Sequence, residues 1–172
     1  SQWASAFAEM GLHVDKTTGD LLGPCMFAVL MGVARTFYGK VSGKIRLTVF
    51  MSASAVLCVF SYLLAVFSPI PVLSLAGCAL TGLSVGIMWP GTFSLAAERC
   101  PKGGTVMFAF FALAGDLGCA GGPGLVGLLS GTGSGGLKSG LLFAVIFPIV
   151  LLGSVRALRQ LAEGEEKEKA YL

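Results

Sequence analysis

Asp116 is the carboxylate around which the chemistry of this chain has to be argued, because it stands midway along an apolar run from Thr105 to Ser130. An ionised Asp at the centre of a membrane helix costs about 2.5–3.5 kcal/mol on insertion scales, so it should face protein or water, and it is by default a functional candidate. Such a group can bind a proton, pair with a cationic substrate, or pair with a basic residue on another helix. A structural hydrogen bond between helices is the plainer alternative. Glu9 ends a short apolar stretch and is placed to reach an outer cavity, whereas His13 sits among Asp15, Lys16 and Asp20, where a lone histidine is solvated.

The other chemical candidates dissolve on inspection of their context. Cys25, Cys58, Cys78, Cys100 and Cys119 fall one per helix or helix end, with no metal-ligand spacing. They read as small apolar residues, with no disulfide, metal or cofactor expected. Gly82-Leu83-Ser84-Val85-Gly86 spells Gly-x-Ser-x-Gly, but a nucleophile elbow needs a strand-to-helix turn, and this stretch is apolar and helical with no histidine near it. Residues 131–139 nearly spell a phosphate loop, yet Leu137 separates Gly136 from Lys138 and no strand precedes them. A glycine-rich connector is the better reading. An intramembrane aspartyl protease needs a second membrane acid, which the spans lack.

The elements that must position these residues follow from composition. Of 172 residues 55% are hydrophobic and 12% charged, and the mean hydropathy is +0.83, too apolar for a soluble domain of that size. Crossing a hydrocarbon core of roughly 30 Å takes about 20 helical residues. Five segments meet that length: 21–38, 47–67, 72–97, 105–130 and 139–158. They lack the alternation of a membrane barrel, so each satisfies its backbone as a helix and the fold class is an all-α polytopic transmembrane bundle. Residues 1–158 form the membrane domain and 159–172 a charged, solvated tail. Ser1 to Met10, with Trp3 and Phe7, is too short to cross and is expected to be the outer end of a truncated helix, which makes the chain a fragment.

Basic residues alternate between the breaks. Lys40, Lys44 and Arg46 follow the first span, Arg99 and Lys102 the third, and Arg156, Arg159, Lys167 and Lys169 the fifth, while Ser68 to Pro71 carries no charge and 131–139 carries Lys138 alone. Retention of Lys and Arg on the inner side therefore places the C-terminus in the cytoplasm. The net charge of +3 reflects this topology and gives no reason to expect nucleic acid. Arg35, near the inner end of the first span, is expected to snorkel.

Two spans carry the irregularities on which a site is built. The third holds Gly77, Gly82, Gly86, Pro90 and Gly91, and Pro90 deprives the Gly86 carbonyl of its donor, which predicts a bend over 88–91 with Trp89 on a cavity wall. A static bend is the alternative, since proline and glycine are common in membrane helices. The fourth holds Pro123, and Ala114, Gly118 and Gly122 recur every four residues around Asp116. Gly82 and Gly86 present a similar small-residue surface, so close contact is expected between the third and fourth spans.

These stretches resemble one family. Gly32-Val33-Ala34-Arg35-Thr36-Phe37-Tyr38-Gly39-Lys40, continuing to Gly43, Lys44 and Arg46, resembles the end of the eighth helix and the next loop of major facilitator superfamily transporters. Gly39 and Lys44 fit that loop's Gly-x-x-x-Asp-Arg-x-Gly-Arg-Arg signature, whereas Gly43 stands at the acidic position and Arg46 at the second glycine. Ala97 to Thr105 resembles the loop between helices ten and eleven, and Gly115-Asp116 through Gly127 an eleventh helix. The resemblance covers nearly the whole chain and implies that the five spans are helices eight to twelve. It further implies a missing N-terminal half, and a central cavity lined by the first, third and fourth spans with the second and fifth peripheral. Residues Glu98 and Arg99 would serve the inner loop contacts.

The expected function is secondary active transport of a small-molecule substrate by alternating access, proton- or ion-coupled, in a lipid bilayer, with no enzyme activity. The compact loops suit a bacterial plasma membrane. The competing reading is a non-transporting membrane subunit in which Asp116 is an assembly contact. Asp116, Trp89 and Glu9 are the substrate- or proton-binding candidates, Gly86, Pro90, Gly91 and Pro123 the gating positions, and Gly39, Lys44 and Arg46 the loop motif.

Overall fold

A computed structural model describes residues 9, 15–132 and 136–170. The expected truncated helix, apart from Glu9, lies outside the described residues, as do His13 and residues 133–135 of the glycine-rich connector. The first span begins with helix α1 (Lys16–Asp20), capped by the Asp15 carboxylate, which accepts from the Thr18 amide at 3.3 Å. It passes through one π-helical turn (Leu21–Cys25) containing Pro24 and continues as α2 (Met26–Val41). Proline cannot donate to the preceding turn, and widening to a π turn absorbs the lost bond.

Helix α3 (Leu47–Phe67) forms the second span. Pro71 starts the third at the N-terminal position that needs no amide donor, giving α4 (Pro71–Val85) and, after a break at Gly86 and Ile87, α5 (Met88–Arg99). Helix α6 (Gly104–Thr132) is the fourth span. The fifth is α7 (Gly136–Phe143) and α8 (Ile146–Ala170), so the run 163–169, expected as a solvated tail, continues the last helix, and Lys138 lies within α7. Among the described residues five helices are long and apolar enough to cross a membrane: Thr17–Val41, Leu47–Phe67, Pro71–Arg99, Gly104–Gly131 and Lys138–Leu161.

Lipid tails are as apolar as leucine, so helices in a bilayer associate through close packing and hydrogen bonds more than through the hydrophobic effect. The small residues show where. A β-carbon on Gly77 would meet the Ala65 amide nitrogen at 2.7 Å and the Ser61 carbonyl oxygen at 2.9 Å, so α4 and α3 approach to backbone contact. Buried Ser74 adds a hydrogen bond from its hydroxyl to the Ala65 carbonyl. On its other side α4 packs against the first span, where β-carbons on Gly82 and Gly86 would strike Phe27 and Ala34. The third span is therefore central, 56% of its most apolar window being buried against 0% for the fourth.

The expected contact between the small residues of the third and fourth spans is corrected here. Gly82 and Gly86 are consumed by the first span, and nothing lies within 4 Å of the β-positions of Gly118 and Gly122. The four-residue spacing marks a surface fit for close approach without specifying which neighbour takes it. Helix α6 is held instead through its second half, where Gly140 of α7 seats against Ser130 and Val126. Near the end of the bundle that carries Lys40, Lys44, Arg99 and Arg156, buried Met51, Ile87, Leu95 and Val155 join the second, third and fifth spans, with Tyr38 and Phe50 packed beside them.

Candidate functional site

The break in the third span lies one turn before the expected centre of the bend, at Gly86 and Ile87 and not at 88–91. The proline ring clashes with the carbonyl four residues earlier, so Pro90 distorts the turn at Gly86 while its own turn stays helical. The ladder resumes at once, with the Gly91 amide donating to Ile87 at 2.8 Å, and Gly91 itself is buried beside Met51. Helix α6 runs without interruption through Pro123, where the loss of one bond is carried by its neighbours in a helix of 29 residues.

The freed Gly86 carbonyl has a partner that reading the chain in order did not reveal. Arg35 of α2 donates from Nε to it at 3.0 Å. Because α2 extends to Val41, Arg35 lies nearly two turns inside the helix end; the residue as a whole is exposed, and its Nε reaches sideways to the third span. The signal was present in two places, a proline four residues after Gly86 and a cation inside an apolar span, but nothing in the sequence joins them.

From the break, Trp89 projects toward the fourth span. Its indole packs edge-on against Phe93 with centroids 4.8 Å apart, and Phe93 stacks on Phe108 at 5.6 Å and meets Phe111 at 5.9 Å. The far edge of the indole lies against Gly115, where a β-carbon would collide with it. Trp89 and Asp116, far apart in the chain, are thus brought to neighbouring positions, the indole touching the residue that precedes the carboxylate. Asp116 lies twelve residues from Gly104, about 18 Å along the helix at 1.5 Å per residue, close to the middle of a roughly 30 Å core. It is exposed and has no hydrogen-bond or ionic partner among the described residues. Glu9 is exposed too, and among the described residues no hydrogen bond or ring contact ties its side chain to this pair.

At the basic end the segments that join the first to the second span and the third to the fourth converge. Arg46 precedes α3 in extended conformation and lines a cleft of about 150 Å³ with Leu47, Thr48, Leu95, Glu98 and Arg99. Gly39 and Lys44 remain exposed beside it, in the last turn of α2 and in the turn that follows. Ser84, the centre of the Gly-x-Ser-x-Gly match, is buried and donates to the Thr81 carbonyl at 2.7 Å, which engages its hydroxyl within the helix. Among the described residues no group of three or more metal-ligating side chains occurs.

Five apolar spans among the described residues, the third of them broken and central, with a carboxylate at mid-depth and an aromatic cluster between the third and fourth, define an integral membrane helix bundle of the kind that carries solutes. The family model for the Major Facilitator Superfamily matches residues 4–170, and the chain belongs to that superfamily of membrane transporters. No curated protein and no solved structure matches it significantly.

Proposed function

We propose that this chain serves in secondary active transport of a small solute, driven by a proton or ion gradient, with Asp116 and Trp89 at the site. The observation that carries the reading is the position of Asp116, a carboxylate at mid-membrane depth on an exposed helix face, beside the indole at the helix break. In this reading the outward face of α6, with Val106, Phe110, Leu113 and Leu117 exposed, looks toward the other half of the transporter across the substrate path. Gating draws on the break near Gly86, Pro90 and Gly91, with Pro123 as a weaker point in α6. Glu9 is assigned to the outer mouth, and the Gly39, Lys44 and Arg46 loop to the inner one. The basic end lies in the cytoplasm, and the membrane is a bacterial plasma membrane.

The test is uptake by proteoliposomes containing the full-length protein, across a panel of small solutes under an imposed proton gradient, comparing wild type with Asp116→Asn. Gradient-driven uptake that falls at least 10-fold in a folded mutant is the expected result, on the order of a lost proton-carrying group. Uptake unaffected by the substitution reduces Asp116 to a packing residue. No uptake of any solute favours a non-transporting subunit.

A further inference from the structure

Pro90 and Arg35 make a single device. Proline at 90 has no amide hydrogen, so the Gly86 carbonyl at the C-terminal end of α4 loses its helical donor within the membrane, where no water replaces it cheaply. A second proline break shows the ordinary remedy. Pro148 frees the Ala144 carbonyl, and the backbone closes on itself, the Phe147 amide donating to Ala144 at 3.2 Å. At Gly86 the donor comes from another helix, Arg35 Nε at 3.0 Å.

Three features suit the guanidinium to this place. The bond is charge-assisted, hence stronger than one between neutral groups. The cation stands at the C-terminal end of the 15-residue α4, where the helix dipole is negative. The approach is made possible by glycine, since a side chain at 82 or 86 would collide with the backbone of Phe27 or with Ala34 and Met31. Upstream, Thr81 and Ser84 direct their hydroxyls to the Cys78 and Thr81 carbonyls, so the last turn of α4 is already tied to itself and the exposed end of the ladder is left to Arg35.

We infer that Arg35 is a positioning residue that replaces the hydrogen bond removed by Pro90, holds the break of the third span at Gly86, and joins the first and third spans into one unit. The break then keeps a fixed geometry and directs Trp89 at Gly115 on α6. This assignment does not depend on what is transported, or on whether anything is.

The decisive experiment is a double-mutant cycle on the full chain in lipid nanodiscs, read as thermal midpoint. Arg35→Gln lowers the midpoint by about 3–8 °C when residue 90 is proline. In the Pro90→Ala background the amide at 90 can itself donate to Gly86, so the same substitution costs less than about a third as much, the two sites being coupled. Arg35→Lys, which keeps a charged donor, retains most of the stability. Should Arg35→Gln fail to fold with Pro90, recovery of folding by Pro90→Ala supports the device. Equal losses in both backgrounds, failure to fold in both, or no loss in either overturns it.

Discussion

At the scale of single residues, Trp89 reaches the residue before Asp116 because Gly115 carries no side chain. The indole is 48% exposed and rests its far edge on Gly115. In a Trp3→Phe background, where Trp89 is the sole tryptophan, Gly115→Ala should displace the ring and shift its fluorescence maximum. The cost in stability should stay below about 1 kcal/mol, because a half-exposed ring has room to swing away. An unshifted spectrum would mean that the ring does not lie on α6. The carboxylate beside it was recognisable from depth alone, since an acid within a long apolar run has few uses. Its neighbour was not, because the 27 positions separating Trp89 from Asp116 carry no periodicity that links the two.

At the scale of elements, glycine decides which helices touch. Gly82→Ala places a methyl group in the backbone of Phe27, so α2 and α4 must separate, and a loss of roughly 1–3 kcal/mol or more is expected. Gly118→Ala meets nothing within 4 Å, and the gain in helix propensity should leave it neutral or stabilising by up to about 1 kcal/mol. Unfolding of the two variants in detergent, followed by circular dichroism, separates these outcomes; equal effects would remove the close contact between the first and third spans. The helices themselves were legible, since an apolar run of about 20 residues has no other way to satisfy its backbone in lipid. Their partners were misjudged, because Gly118 and Gly122 have the same spacing as Gly82 and Gly86, and spacing does not reveal which neighbour is near.

At the scale of the whole molecule, the described spans follow the hydropathy profile, and most of the basic residues flank the same ends of them, Lys16 and Lys138 lying at the opposite ends. In a cysteine-free background, Lys138→Cys should react with a membrane-impermeant thiol reagent on intact cells, and Lys102→Cys only after permeabilisation. The reverse pattern would invert the proposed orientation. The packed part of the molecule is the set of first, second, third and fifth spans, the last three joined by Met51, Ile87, Leu95 and Val155 and the first held to them through Gly82, Gly86 and Tyr38, while α6 hangs at the edge by α7 and the aromatic cluster.

The amino-acid order alone determined five helical spans, the all-α class, the superfamily resemblance and the prominence of Asp116. Each of these rests on local quantities: length of apolar run, cost of a buried charge, and charge beside the membrane. Tertiary structure decided that the third span is central, that its break stands at Gly86, that Arg35 closes that break, and that Trp89 adjoins the residue before Asp116. These are relations between residues distant in the chain, set by which small side chains let two backbones meet, and no property of a single segment contains them.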